Sequence, residues 1–426
     1  MVDASYEGYK ARPELIPITR GRLDPAKPFD YIAALNGDSP APAVEASAAV
    51  PFTGITTDGR VVPGLYRLED TGLDPAPAVE AARALLSVLP VALRSRVTLP
   101  ADATAWRMWT NAYPAWEPDG VYLDDLDDTG REAAMGLVRA SLSPKGFADV
   151  RGTMRLNAEL GQLIDQYHDT LIEWAYWIRL FGEPSAEGPW GWQIFGHHVC
   201  VSCFVLGGQM VLTPTFLGAE FESQQIFDEH RIVGLELMNA LTAAQRETAV
   251  LYPSMRPEDL PFDLAGSVDG RHLGAAGQDN RVIPYAGLAA DSMSPGQQEL
   301  LIRLVGSFVS RMPAGPAAAK LAETRRHLGD THFAWIGQAD ADGPFYFRIH
   351  SPVVLAEYDN HPGIFLDFDQ PEPFHVHTVI RTPNGNDYGT DLLRQHYARH
   401  HPAASTLEGA TTGLTTSPDI DRSTQC

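Results

Sequence analysis

The residues best suited to chemistry in this chain are closely spaced imidazoles. Seven of the 14 histidines fall between His350 and His401, and the sharpest pattern is Pro373-Phe-His-Val-His-Thr-Val-Ile-Arg381. Side chains alternate along a β-strand, so His375, His377 and Arg381 would share one face and Phe374, Val376 and Thr378 the other. A His-x-His pair on a strand presents two neutral nitrogen ligands to one divalent metal. A second cluster, Gly196-His-His-Val-Cys-Val-Ser-Cys, splits by the same alternation. His198, Cys200 and Ser202 take a polar face, and His197, Val199, Val201 and Cys203 an apolar one. His198 is therefore the expected third ligand, with His197 packed behind it. Cys200 and Cys203 fall on opposite faces, which argues against a redox or zinc C-x-x-C.

Three imidazoles leave a coordination position open. Glu220, Glu222, Glu357, Asp359 and His396 are the candidates to complete the site or to act beside it. Glu357 is the expected general base. Arg381 is expected to orient an anionic substrate group, or to pair with an acid. His396 follows Asn386-Asp-Tyr-Gly-Thr-Asp, a turn leading into a helix, and is a candidate ligand or base. With zinc, such a site suits hydrolysis; with iron or copper, oxygen chemistry. The expected reaction class is a metal-dependent conversion of a small molecule, hydrolytic first and oxidative second. A metal-free small-ligand binder, with its pocket lined by Trp190, Trp192, Phe345 and Phe347, is the other reading. No phosphate-binding glycine loop, nucleophile elbow or H-E-x-x-H helix is present.

The elements that must position these residues point to an α+β fold of helices packed on antiparallel hairpin sheets. Capping boxes start helices at Thr129/Glu132, Thr242/Gln245 and Ser294/Gln297, the last with Pro295 at the first helical position. Helical spacing of apolar residues marks Val79–Leu89, Ala148–Ile164 and Ile226–Ala240. One β-rich cluster runs from Gly188 to Leu206, turns at Gly207-Gly208 and returns over Gln209–Thr213. Another comprises Gly343–His350, Val353–Tyr358 and His375–Arg381. Gly188-Pro189-Trp190-x-Trp192-Gln193-Ile194 matches Gly343-Pro344-Phe345-x-Phe347-Arg348-Ile349 position by position. That match suggests two related helix–hairpin halves, 51–245 and 246–401. An extended arm over 1–50 would precede them and a disordered tail over 402–426 would follow. Pockets favour such junctions.

Bulk properties narrow the partners. The net charge is −22 over 426 residues, with Lys+Arg 32 against Asp+Glu 54. A chain this acidic repels nucleic-acid backbones and anionic lipid surfaces. No apolar run long enough to span a bilayer occurs. The three cysteines, Cys200, Cys203 and Cys426, are too few and odd in number for a disulfide framework, and the N-terminus has no export signal. The expected location is cytoplasmic. Nothing in the pattern selects an oligomeric state.

At these motifs the chain resembles the DUF3500 family, a bacterial domain of unknown function. The resemblance rests on Pro51-Phe-Thr-Gly-Ile-Thr-Thr-Asp-Gly59, Gly188 through His198, Thr213-Pro-Thr-Phe-Leu-Gly218, Phe333-Ala-Trp-Ile-Gly337, Phe374 through Arg381, and Asn386-Asp-Tyr-Gly389 through His396. It covers roughly 51 to 400. The family pattern continues Gly-His-His with Leu-Ser-Leu-Asn, whereas Cys200 and Ser202 hold the polar positions here. The resemblance implies no reaction.

Overall fold

The computed structural model describes residues 9–12, 40–114, 116–261, 264 and 272–400. The tail expected over 402–426 lies outside them, as does most of the arm expected over 1–50. The end of that arm is not extended: Pro40–Ala49 forms a helix, α1. The chain then runs α2 (Ala76–Val88), α3 (Val91–Val97), β1 (Thr98–Leu99), β2 (Val121–Tyr122), α4 (Asp128–Ser141) and α5 (Pro144–Ile164). Next come β3 (Tyr176–Phe181), β4 (Pro189–Gly196), β5 (Val199–Leu206), β6 (Gln209–Val211) and β7 (Thr215–Ala219). After α6 (Gln224–Ala240) and α7 (Ala243–Ala249) come β8 (Val250–Tyr252), β9 (Leu288–Ala289), α8 (Pro295–Val309) and α9 (Ala314–Arg326). The series closes with β10 (His332–Gly337), β11 (Phe345–His350), β12 (Leu355–Asn360), β13 (Val376–Arg381) and α10 (Thr390–His400).

The fold is α+β, built on one 13-stranded mixed sheet with the order β1-β3-β4-β5-β7-β13-β12-β11-β10-β8. Antiparallel β3, β4, β5 and β7 make one flank, edged by β1 parallel and β2 antiparallel to β3. Antiparallel β10 to β13 make the other, edged by β8 parallel and β9 antiparallel to β10. The flanks join where β7 pairs with β13.

Alternation gives the sheet two different faces. Ile178, Ile194, Val201, Leu217, Ile380 and Tyr358 point into a core shared with helices α2, α4, α6 and α8. Trp190, Trp192, Phe345 and Phe347 are wholly buried in that core, and Trp335 stacks on Phe345 at 4.5 Å. These four aromatics, expected to line a pocket, are instead core residues whose area goes to holding helices on the sheet. Loops cover the opposite face, where Trp177, Phe195, Cys200, Phe216 and Val379 lie.

Both capping boxes at Thr242/Gln245 and Ser294/Gln297 form, each with its reciprocal bond. The first helix of the expected three starts earlier. Asp127, not Thr129, accepts the Gly130 amide at 2.8 Å. An ionised carboxylate at that position also faces the positive end of the helix dipole, an advantage over a threonine hydroxyl. The Gly207-Gly208 turn joins β5 to β6 as expected, with Leu206 opposite Gln209. No described helix is long and apolar enough to cross a membrane.

Candidate metal centre

The joint between the two flanks places three imidazoles together. His377 stands on β13 directly opposite Gly218 of β7 on one side and Asp359 of β12 on the other. His375 immediately precedes β13. His198 arrives from the other flank, and not from a strand: His197 and His198 are the two-residue turn between β4 and β5, with Gly196 opposite Val199. His198 has φ +63°, a left-handed conformation few non-glycine residues adopt. Its backbone is clamped there, with its N–H donating to Asn111 O at 2.7 Å and its carbonyl accepting from Gly218 N at 2.9 Å. A local cost of this kind persists only where surrounding bonds fix it.

The three Nε2 atoms converge. His377 Nε2 lies 3.2 Å from His375 Nε2 and 3.1 Å from His198 Nε2, and all three ligand atoms fall within 4.8 Å of one another. Nitrogens at metal–ligand distances near 2.0–2.1 Å around a tetrahedral ion would be about 3.3 Å apart. The proton count favours a cation. His375 Nδ1 must carry a hydrogen, because it donates to the carbonyl of Pro362 at 2.7 Å, so its Nε2 is a bare lone pair. One proton on His377 Nε2 can serve only one of its two neighbours. His377 Nδ1 meanwhile has no hydrogen-bond partner among the described residues. Burial, and next the neighbouring imidazoles, hold all three pKa values well below 6.5, so three neutral donors face one point. Their surroundings fit a divalent metal.

Gly218 makes the cradle. A Cβ built on it would lie 2.8 Å from His377 Cδ2, 2.9 Å from Val376 O and 3.1 Å from His198 Cδ2. Gly218→Ala is expected to push the imidazoles apart and weaken metal binding at least tenfold while the sheet stays folded. Chelator-competition titration beside circular dichroism checks this; unchanged affinity would show that the cradle has slack.

The depressed pKa values also set a pH dependence. In the unfolded chain the imidazoles protonate near 6.5, while the buried ones in the folded apo-protein do not. The unfolded state thus binds more protons, and stability falls as pH drops below about 6.5, by up to about 1.4 kcal/mol per pH unit for each histidine. The urea midpoint of metal-free protein is expected to fall steeply between about pH 7 and pH 5, and His375→Gln to flatten that slope.

Other expected residues are placed as follows. His197 stacks on His198 with centroids 3.9 Å apart, and its Nδ1–H donates to Asn157 Oδ1 at 2.7 Å. Burial pushes its pKa down to about 3. Cys200 and Cys203 are buried free thiols on opposite faces of β5. Glu357 is on the histidine face but committed elsewhere. It accepts Leu273 N at 2.9 Å, Gly274 N at 2.8 Å and the Tyr346 hydroxyl at 2.7 Å. It pins the loop at 273–274. Arg381 is equally committed, its guanidinium donating to Asp387 at 2.7 Å, Asp279 at 2.5 Å and Gly274 O at 2.9 Å. It pairs with acids, one of the two roles expected of it. His396 is on α10, in ring contact with His400 and Tyr397, and is not brought to the centre. Glu220 Oε1 takes the three amides of Ile364, Phe365 and Leu366, each at 2.7 Å. Burial pushes its pKa up to about 7 against those donors. Glu222, at φ +49°, is a turn residue.

Two residues at the centre went unread in the sequence. The His361 ring lies 4.8 Å from that of His377 and 5.0 Å from that of His375. Its Nδ1–H donates to Pro362 O at 2.9 Å, the carbonyl that also orients His375. His272 is buried with its ring 6.1 Å from that of His377, and its Nε2 is 3.8 Å from Asp359 Oδ1. A cavity of ≈ 30 Å³ adjoins His198 and His377, walled by Asn111, Tyr113, Thr170 and Phe365, with room for about one water.

A family model described as "Protein of unknown function (DUF3500)" matches residues 72–390, about three quarters of the chain. No curated protein and no solved structure matches.

Proposed function

We propose, for a chain that belongs to the DUF3500 family, that the protein is a metal-dependent enzyme acting on a small molecule at His198, His375 and His377. The observation that carries this reading is the convergence of three neutral, buried Nε2 atoms on one point. A divalent ion there, zinc by preference, would lower the pKa of a bound water and polarise a carbonyl or phosphoryl oxygen. The chain supplies the rest. Pro362 O fixes the tautomer of His375, Asn157 and His197 brace His198, and Gly218 leaves the space the imidazoles enclose. Asp359, opposite His377 and 3.8 Å from His272, is the acid best placed to take or return a proton, the role first expected of Glu357. The ≈ 30 Å³ cavity gives one small group access to His198 and His377.

Oxygen chemistry on iron or copper is the second reading, favoured by the same all-imidazole donor set. The two are separated by loading apo-protein with zinc or with ferrous iron. Hydrolysis of small activated esters that needs zinc and disappears in His198→Ala supports the first. Dioxygen uptake that needs iron, with no zinc-dependent hydrolysis, replaces it with the second.

The halves 51–245 and 246–401 are proposed to be copies of one unit. The matching Gly-Pro-aromatic-x-aromatic motifs open β4 and β11, equivalent strands on the two flanks, and β3 and β10 each pair with one parallel and one antiparallel edge strand. The centre then forms between the copies. A cytoplasmic setting remains part of the proposal, supported by buried free thiols at Cys200 and Cys203.

A further inference from the structure

A second cavity, of ≈ 490 Å³, lies on the other face of the sheet from the histidines. Its floor is Thr215 of β7 and Ile380 of β13, which alternate away from Gly218 and His377. Phe308 of α8, Met312 of the connection after it and Ala319 of α9 wall it, and Leu392 of α10 closes the far side. The interior is thus mainly apolar, of a size that encloses a small organic molecule.

The mouth is different. Gly64, Arg67 and Arg326 are exposed to solvent there. Lys320 is partly buried, donating to Glu323 at 2.7 Å and to Val353 O at 2.6 Å, with its ammonium 5.9 Å from the Tyr66 ring centroid. That pairing neutralises Glu323. Arg67 and Arg326 have no ion pair among the described residues. Three cations (Arg67, Lys320, Arg326) against two acids (Glu69, Glu323) line this cavity, a positive local balance in a chain of net charge −22. Guanidinium groups present the paired donors that a carboxylate accepts, and an apolar interior buries a hydrocarbon body.

We propose that this cavity is a binding site for an amphipathic organic carboxylate, its apolar body between Ile380 and α8–α9 and its carboxylate at Arg67 and Arg326. The site is separate from the metal centre and stands on observations independent of it.

Calorimetric titration of the full-length protein with octanoate, octylamine and inorganic phosphate tests this. Octanoate is expected to bind at one equivalent, with octylamine and phosphate at least tenfold weaker. Ala319→Trp, which fills the interior, should abolish octanoate binding, and Arg67→Glu/Arg326→Glu should weaken it at least tenfold. Metal content should be unchanged in all of them, so failure here and failure of the metal centre are told apart. If Ala319→Trp does not fold by circular dichroism, the exposed arginine pair decides. Octylamine binding as tightly as octanoate, or octanoate binding that survives both changes, overturns the proposal.

Discussion

Replacing His377 with alanine is expected to lower the affinity for divalent metal at least a hundredfold and to remove all metal-dependent activity. His377 is the central imidazole, 3.2 Å from His375 Nε2 and 3.1 Å from His198 Nε2. Loss of a residue that merely orients a ligand typically costs ten- to a hundredfold; loss of a ligand costs at least as much. The alanine also enlarges the space beside Phe216, whose ring centroid is 5.3 Å away, so part of any stability change will be packing. His377→Gln, closer in size, controls for that. The metal-linked part follows mass action: metal at a hundred times its dissociation constant stabilises the fold by about 2.7 kcal/mol. Wild type should show that gain in thermal unfolding and His377→Ala should not. His396→Ala, on α10 and away from the three imidazoles, should bind metal as wild type does. An affinity for His377→Ala within threefold of wild type would place the metal, if any, elsewhere.

The largest effect on stability is expected at Arg381. Its guanidinium is wholly buried between Asp279 and Asp387, and Asp279 is also held by Arg107 at 2.9 Å and by the Tyr388 hydroxyl at 2.9 Å. Two cations and two anions balance out of water. Arg381→Leu leaves a net negative charge buried and should destabilise the protein by about 3–5 kcal/mol, read as a fall in the urea midpoint. Arg381→Leu/Asp387→Asn restores the balance and should recover part of the loss. The network ties β13 to the loop at 274–279 and to the turn entering α10. If Arg381→Leu instead left stability within about 1 kcal/mol and weakened substrate binding, the substrate-orienting role that the His-x-His-x-x-x-Arg spacing suggests would stand after all.

The three histidines that meet at the joint of the sheet were legible because the residue types are scarce and the period of a strand is simple. A strand's period misplaces His198, however. Alternation assigned it to a polar strand face, whereas it belongs to a turn with φ +63°, and the long-range pairing of β7 with β13 brings that turn to His377. Alternation fixes a face but not a position along it. Glu357 and Asp359 share the histidine face of β12, yet only Asp359 lies opposite His377, because Glu357 pairs one step further on with Val379. The loop that takes up Glu357 is far away in sequence and has no periodic signal. His361 was hidden by its setting, Asp359-Asn360-His361-Pro362, which reads as a turn. His272 stands in an irregular segment where spacing carries no information. Local signals fared better: the reciprocal caps at Thr242 and Ser294 depend on residues three apart and needed no tertiary context.

The central claim is that His198, His375 and His377 hold a metal ion. It is tested most directly by elemental analysis of protein expressed without a histidine tag, wild type beside His375→Ala/His377→Ala. The account predicts about one equivalent of zinc, iron or copper in the wild type and less than a tenth of that in the double variant, with both proteins folded. Metal absent from the wild type even after incubation with each ion, or equal in the two proteins, would contradict it.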